Sequence, residues 1–125
     1  MDREAACCCG ALRVTCRDAP SSVSACHCGA CQRRTGSVVG LAAFFPEDAV
    51  TIAGASKSFT RGSDAGSGVT FHFCPDCGST VYWRPERKPG IVAVAVGAFA
   101  DPEFPAPQQA VFEALRPPWL TIRPF

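Results

Sequence analysis

The sequence predicts a mostly β protein of many short strands with no long helix, and three observations carry that expectation. Eleven glycines and eleven prolines are spread along the 125 residues, which punctuates the chain too often for long helices. Residues 11–17 alternate strictly, Leu12, Val14 and Cys16 against Arg13, Thr15 and Arg17, as in a strand with one buried face. Residues 91–96 (Ile, Val, Ala, Val, Ala, Val) have the β-branched character of an interior strand.

In chain order, residues 11–17 are the first strand with regular alternation, and Cys16 belongs to its buried face as a small hydrophobe because no second cysteine stands beside it at ligand spacing. Residues 18–21 are a turn, and 22–27 a second strand that runs into a cysteine cluster. Residues 31–35 make one helical turn before Gly36. The apolar stretch 37–45 reads as a buried strand ending at Pro46, 46–49 as a turn or 3₁₀ piece, and 50–53 and 57–61 as strands bounded by glycine. The glycine- and serine-rich residues 62–68 form a flexible hairpin connection or mobile loop. Strands at 69–73 and 79–83 flank the tight turn Cys74-Pro75-Asp76-Cys77-Gly78. Residues 84–90 are a polar loop, and Gly97 closes the strand 91–96. Three prolines make 101–107 irregular, 110–115 is a last strand, and Trp119 is expected to dock the tail by burying its indole.

The length suits one domain over residues 1–125, large enough to bury roughly two-thirds of the surface its unfolded chain exposes. A formal net charge of +1, only 18% charged residues and no basic run longer than the pair Arg33-Arg34 leave no electrostatic footprint for a nucleic acid. No apolar run approaches the ~20 residues that span a bilayer, and the acidic start of the chain lacks the basic and apolar regions of an export signal. These features predict a cytoplasmic protein without membrane or nucleic-acid partners.

Nine cysteines in a reducing compartment are more often metal ligands or catalytic thiols than disulfides, and their odd number excludes complete pairing. Eight of them fall into three clusters: Cys7-Cys8-Cys9-Gly10, Cys26-His27-Cys28-Gly29-Ala30-Cys31, and Cys74-Pro75-Asp76-Cys77-Gly78. On an extended strand alternate side chains share a face, so Cys7 and Cys9 can grip one metal while Cys8 points away. The same reasoning pairs Cys26 with Cys28, and the Gly29-Ala30 turn swings Cys31 back toward them. Cys7, Cys9, Cys74 and Cys77 then make a complete four-thiolate set across about 65 residues of sequence, a closed and structural site. Cys26, Cys28 and Cys31 supply three ligands and leave a position for water or substrate, so the functional expectation falls on them. Thiolate ligands without redox apparatus favour zinc, and spacing alone leaves iron open. A thioredoxin-like reading of Cys74-Pro75-Asp76-Cys77 requires a following helix, whereas a strand follows. His27 and His72 read as ordinary strand residues, with His27 a candidate to support the ligands from behind.

In order and spacing these three clusters resemble the glutathione-dependent formaldehyde-activating enzyme family, whose pattern is an N-terminal CxCG, then CxCxxC with a small polar segment, then a late CxxCG. Cys26 through Ser37, Phe73 through Gly78, Val94 through Gly97 and Arg116 through Leu120 carry the likeness over nearly the whole chain. The resemblance implies an all-β fold of small antiparallel sheets meeting at a structural zinc, the β-tent, with short helical turns only. It implies a structural zinc on Cys7, Cys9, Cys74 and Cys77, and a second, labile zinc on Cys26, Cys28 and Cys31 near where glutathione binds.

A zinc held by three thiolates has a net charge of −1 and is a weak Lewis acid, better suited to holding a fourth, incoming thiolate. The implied activity is a carbon–sulfur lyase-type condensation of glutathione, or a similar thiol, with formaldehyde or another small aldehyde. The carboxylates of glutathione need cations, and Arg33 and Arg34 are nearest in sequence, weighed against an ordinary role as solvated surface arginines. The rival reading is a non-catalytic zinc-binding interaction module, for which a three-cysteine cluster beside a complete four-cysteine site has no evident use.

Overall fold

In the computed structural model, which describes residues 1–62 and 67–123, ten strands form two sheets. The three-stranded sheet has the order β1-β2-β5, from β1 (Asp2–Ala6), β2 (Arg13–Arg17) and β5 (Val50–Ala53). The seven-stranded sheet runs β10-β3-β4-β9-β8-β7-β6, from β3 (Ser22–Cys26), β4 (Gly40–Pro46), β6 (Lys57–Arg61), β7 (Val69–Phe73), β8 (Thr80–Pro85), β9 (Ile91–Ala95) and β10 (Gln109–Val111). The fold is mostly β, with one helix, α1 (Gly29–Thr35), and 3₁₀ turns at Glu47–Ala49, Val96–Phe99 and Glu113–Leu115. No helix among the described residues is long and apolar enough to cross a membrane.

The alternation in β2 places Leu12, Val14 and Cys16 in the core, each with no exposed surface, against Phe45, Val81, Val92 and Val94. β1 was not legible from its sequence, because Asp2, Arg3 and Glu4 hide the period. It forms by antiparallel pairing with β2, in the register that opposes Ala5 to Val14. One pairing departs from the expected antiparallel arrangement: β10 runs parallel to β3, with Val111 opposite Cys26.

Several boundaries shift for local reasons. Helix α1 begins at Gly29, two residues before the expected turn, because Cys28 caps it with Sγ accepting the Cys31 N–H at 3.3 Å. Gly36 ends it in the left-handed region at φ 70°, its N–H donating to Gln32 O at 2.8 Å. β4 starts three residues later than expected because the Thr35 and Ser37 hydroxyls accept the Ser37 and Val39 N–H groups that a strand would need. β8 extends past residue 83 to Pro85 and β9 stops at Ala95, so Val96 enters a 3₁₀ turn. The last strand is three residues long, because Phe112 turns to φ 55° and residues 113–115 become a 3₁₀ turn. Trp119 is 73% exposed, so its indole does not dock the tail; the Arg116 guanidinium donates to Leu120 O instead. Of the expected 62–68 loop, residues 63–66 lie outside the described residues.

Candidate metal centres and the adjoining cleft

Two hairpin turns, one from each sheet, bring the first four sulfurs together. β1 ends at Ala6, so Cys7, Cys8 and Cys9 occupy the β1–β2 turn and not an extended strand; the turn, and not the pleat, puts Cys7 and Cys9 on one side. Cys7 donates its N–H to Leu12 O at 3.0 Å and accepts the Gly10 N–H at 3.0 Å, with Gly10 at φ 81°. The β7–β8 turn repeats the device: Cys74 N–H to Ser79 O at 3.0 Å, Gly78 N–H to Cys74 O at 2.9 Å, Gly78 at φ 80°. Only glycine adopts that conformation without strain, which is why each knuckle carries one. Cys8 is exposed and points away, while its backbone N–H donates to Ser79 Oγ at 3.1 Å and ties one knuckle to the other.

Sγ of Cys7 lies 3.6 Å from Sγ of Cys9, which lies 3.6 Å from Sγ of Cys74, and the four sulfurs with Cys77 are all within 4.8 Å of one another. A tetrahedral ion with metal–sulfur bonds of about 2.3 Å needs sulfurs about 3.8 Å apart, so this donor set can hold one. Electrostatics agrees. The Leu12 N–H holds the Cys7 thiol below its ordinary value, and the Ser79 hydroxyl draws Cys77 down to about 5. Cys9, despite the Ala11 N–H that pulls it down, is pushed up to about 12 by Cys7 and Cys74, as expected where thiolates crowd one another.

The second cluster forms where β3 meets α1. Cys26 is the last residue of β3, Cys28 is the helix cap and Cys31 sits in the first turn, so these sulfurs converge through a strand-to-helix corner and not along one strand face. All three are half-buried and within 4.8 Å of one another, a three-donor set that can also hold a metal ion. Hydrogen bonding from Cys26, aided by Cys28 and the Arg34 guanidinium, draws Cys31 down to about 5, while Cys26 is pushed up. His27, fully buried between Cys26 and Cys28, donates its backbone N–H to Val111 O at 3.1 Å and places Nδ1 3.3 Å from Val38 O. It supports the corner from behind. His72 sits on β7, stacked on Tyr82 at 4.5 Å, away from both clusters.

A cleft of about 440 Å³ opens beside the second cluster, lined by Cys26, Cys31, Arg34, Trp83, Arg87 and Lys88 among others. No carboxylate lines it among the described residues. Arg34 sits over Trp83, Cζ 4.4 Å from the ring centroid, and its Nε is buried without a hydrogen-bond partner among the described residues. Lys88 Nζ is 4.1 Å from the Phe44 centroid.

The model of the family described as glutathione-dependent formaldehyde-activating enzyme matches residues 2–114. The chain belongs to that family. The matched stretch contains both formaldehyde-activating-family cysteine sets and every charged residue of the cleft. Among solved structures, the chain is similar to a Rhodobacter sphaeroides protein at 21% identity, with 76% of this chain and 85% of that one covered and a TM-score of 0.60, which shows a shared fold. No curated protein matches the chain.

All seven expected ligand cysteines of this formaldehyde-activating-family chain stand in the two groups expected of them. The two arginines share one cavity, but only one of them reaches the cleft. Arg34 lines the cleft, whereas Arg33 is exposed and faces a neighbouring cavity. Arg87, Lys88 and the Trp83 wall were missed. Their one sequence signal, two adjacent cations between Pro85 and Pro89, is too short to read as a patch, and nothing local says that these residues line one cleft with Cys26 and Cys31.

Proposed function

We propose that this protein condenses glutathione, or a similar small thiol, with formaldehyde or another small aldehyde to an S-hydroxymethyl adduct, as a zinc-dependent carbon–sulfur lyase-type enzyme of the cytoplasm. The observation that carries this reading is a three-sulfur set opening on a cleft lined by three cations and, among the described residues, no carboxylate. The first zinc, on Cys7, Cys9, Cys74 and Cys77, is structural; the second, on Cys26, Cys28 and Cys31, is labile. When bound at the second set, zinc favours the deprotonated form of an incoming thiol.

The chain's own residues do the rest. Arg34, Arg87 and Lys88 meet the carboxylates of the thiol and fix the direction from which its sulfur enters. Trp83 holds the Arg34 plane so that little side-chain freedom is lost on binding. The thiol gives its S–H proton to solvent, its sulfur forms the new bond to the aldehyde carbon, the carbonyl π pair moves to oxygen, and that oxygen takes a proton back from solvent, so thiol plus aldehyde give the adduct with no by-product. Cys26, Cys28 and Cys31 act as the metal-holding residues of the reaction.

The test is the initial rate of S-hydroxymethylglutathione formation against buffer alone, since formaldehyde adds to thiols unaided. Wild-type protein exceeds the buffer rate and Cys28→Ser falls back to it. S-methylglutathione, whose thioether cannot ionise, binds more weakly than glutathione. In cobalt-substituted protein, glutathione changes the sulfur-to-metal charge-transfer absorption. An unchanged spectrum, with a wild-type rate equal to that of Cys28→Ser, overturns the enzyme and leaves a non-catalytic zinc-binding module.

A further inference from the structure

A second cavity, of about 500 Å³, opens where α1 faces β6 and β7, and no sulfur lines it among the described residues. Its walls carry three guanidinium groups, Arg33 and Arg34 from α1 and Arg61 from the end of β6, together with Phe59, Phe71 and Phe73. One ring organises two of the cations: the Cζ atoms of Arg34 and Arg61 each lie 5.3 Å from the Phe71 centroid. The Nε atoms of both are buried and make no hydrogen bond among the described residues. No carboxylate lines this cavity among the described residues, and none of the ion pairs among them involves these three arginines.

Three like charges around one apolar cavity repel one another, and buried donors without partners cost free energy, so the arrangement favours an anion. Guanidinium forks match a carboxylate or a phosphate. The apolar share of the wall adds a second requirement. Phe59 on the edge strand β6 is 62% exposed beside these cations, an aromatic face left to be covered by a ligand's own apolar surface. The volume lies within the roughly 300–1,000 Å³ of small-molecule sites.

We propose that this cavity is a binding site for a small organic anion, a carboxylate or phosphate carried on a flat apolar body, separate from the thiol cleft. Glutathione has the anionic groups but no such body, so the site is not a restatement of the thiol-binding reading; the two share only Arg34.

The experiment titrates the purified full-length protein, with its metals, with benzoate, phenyl phosphate and neutral benzamide, following the Nε–H resonances of Arg34 and Arg61 by NMR. At least one anion is expected to bind and shift both resonances, with benzamide weaker by about tenfold or more. Arg61→Ala is expected to weaken the anion by about tenfold while leaving glutathione affinity within about twofold. Arg61→Lys, which keeps the charge but loses the fork, and Arg33→Gln on the exposed helix face serve if Arg61→Ala does not fold; each is expected to weaken the anion severalfold. Benzamide binding as well as the anions, no binding of either anion up to about 10 mM, or anion affinity unchanged in the folded variants overturns the proposal. Glutathione titrated in parallel reads the other site, so a failure there is visible separately.

Discussion

The thiols of Cys26 and Cys31 are shifted in opposite directions, each chiefly by its hydrogen bond with the other. With Cys31 held at about 5 chiefly by the hydrogen bond from Cys26, its thiolate is populated throughout the neutral range and is lost only as the pH falls through about 5. Cys26 is shifted the opposite way and stays a thiol. In protein freed of metal at this cluster, iodoacetamide at pH 7 is expected to alkylate Cys31 ahead of Cys26, with Cys31 labelling fading toward pH 5, read by peptide mass spectrometry. Cys16, pushed up to about 11 by burial, stays unlabelled in the folded protein. Its place in the core was legible because its neighbours alternate around it. The Arg34 guanidinium beside Cys31 was not, since it reaches that sulfur only once α1 has formed.

At the scale of elements, two glycines set where the backbone passes close to something else. A Cβ at Gly54, which has φ 99°, would lie 2.0 Å from Ala11 O, across the β2–β5 connection beside the first knuckle. Gly54→Ala is expected to cost at least about 2 kcal/mol of stability, through positive-φ strain plus a backbone collision that no rotamer relieves, measured by urea unfolding. Gly40 begins β4 against α1, where a Cβ would lie 3.0 Å from Arg34 Nη2 and 3.2 Å from Cys31 Cβ. These neighbours can give way, so Gly40→Ala is expected to lower stability by less than about 1 kcal/mol. It displaces Arg34 and Cys31, and weakens metal retention at the second cluster by about tenfold, read by competition with a chelating dye. Strand identity along β2, β5, β6, β7 and β9 was readable from period and punctuation. The parallel docking of β10 was not, because a three-residue strand has no period of its own.

For the whole molecule, the first cluster joins the three-stranded sheet to the seven-stranded one through residues 65 apart in sequence, while the second lies within a single strand–helix corner. Cys77→Ser is therefore expected to yield insoluble protein or a melting temperature lower by about 10 °C or more, and Cys28→Ser to melt within about 3 °C of wild type, by circular dichroism. The reverse order would mean that the structural and open clusters are exchanged. Protein purified without chelator is expected to hold more than one zinc per chain, released in two phases. Exposure does not set their order, since Cys9 and Cys77 are exposed while the second cluster is half-buried. Four thiolates against three does, together with the need to pull the sheets away from each other before the first cluster opens.

The sequence by itself determined which cysteines gather, because ligand spacing and knuckle glycines are local properties of a few adjacent residues. It likewise determined the buried face of β2 and the predominance of short strands, since periodicity and Gly/Pro punctuation act over the same short range. Only the tertiary structure decided which cations surround the second cluster. Arg87 and Lys88 reach it from a loop more than 50 residues away, and of the adjacent pair Arg33 and Arg34 only Arg34 lines the cleft as well as the second cavity, because neighbouring residues on a helix point about 100° apart. Trp119 makes the same point in reverse: an indole near a chain end reads as a core anchor, yet it is 73% exposed because burial depends on a partner surface that no local pattern encodes.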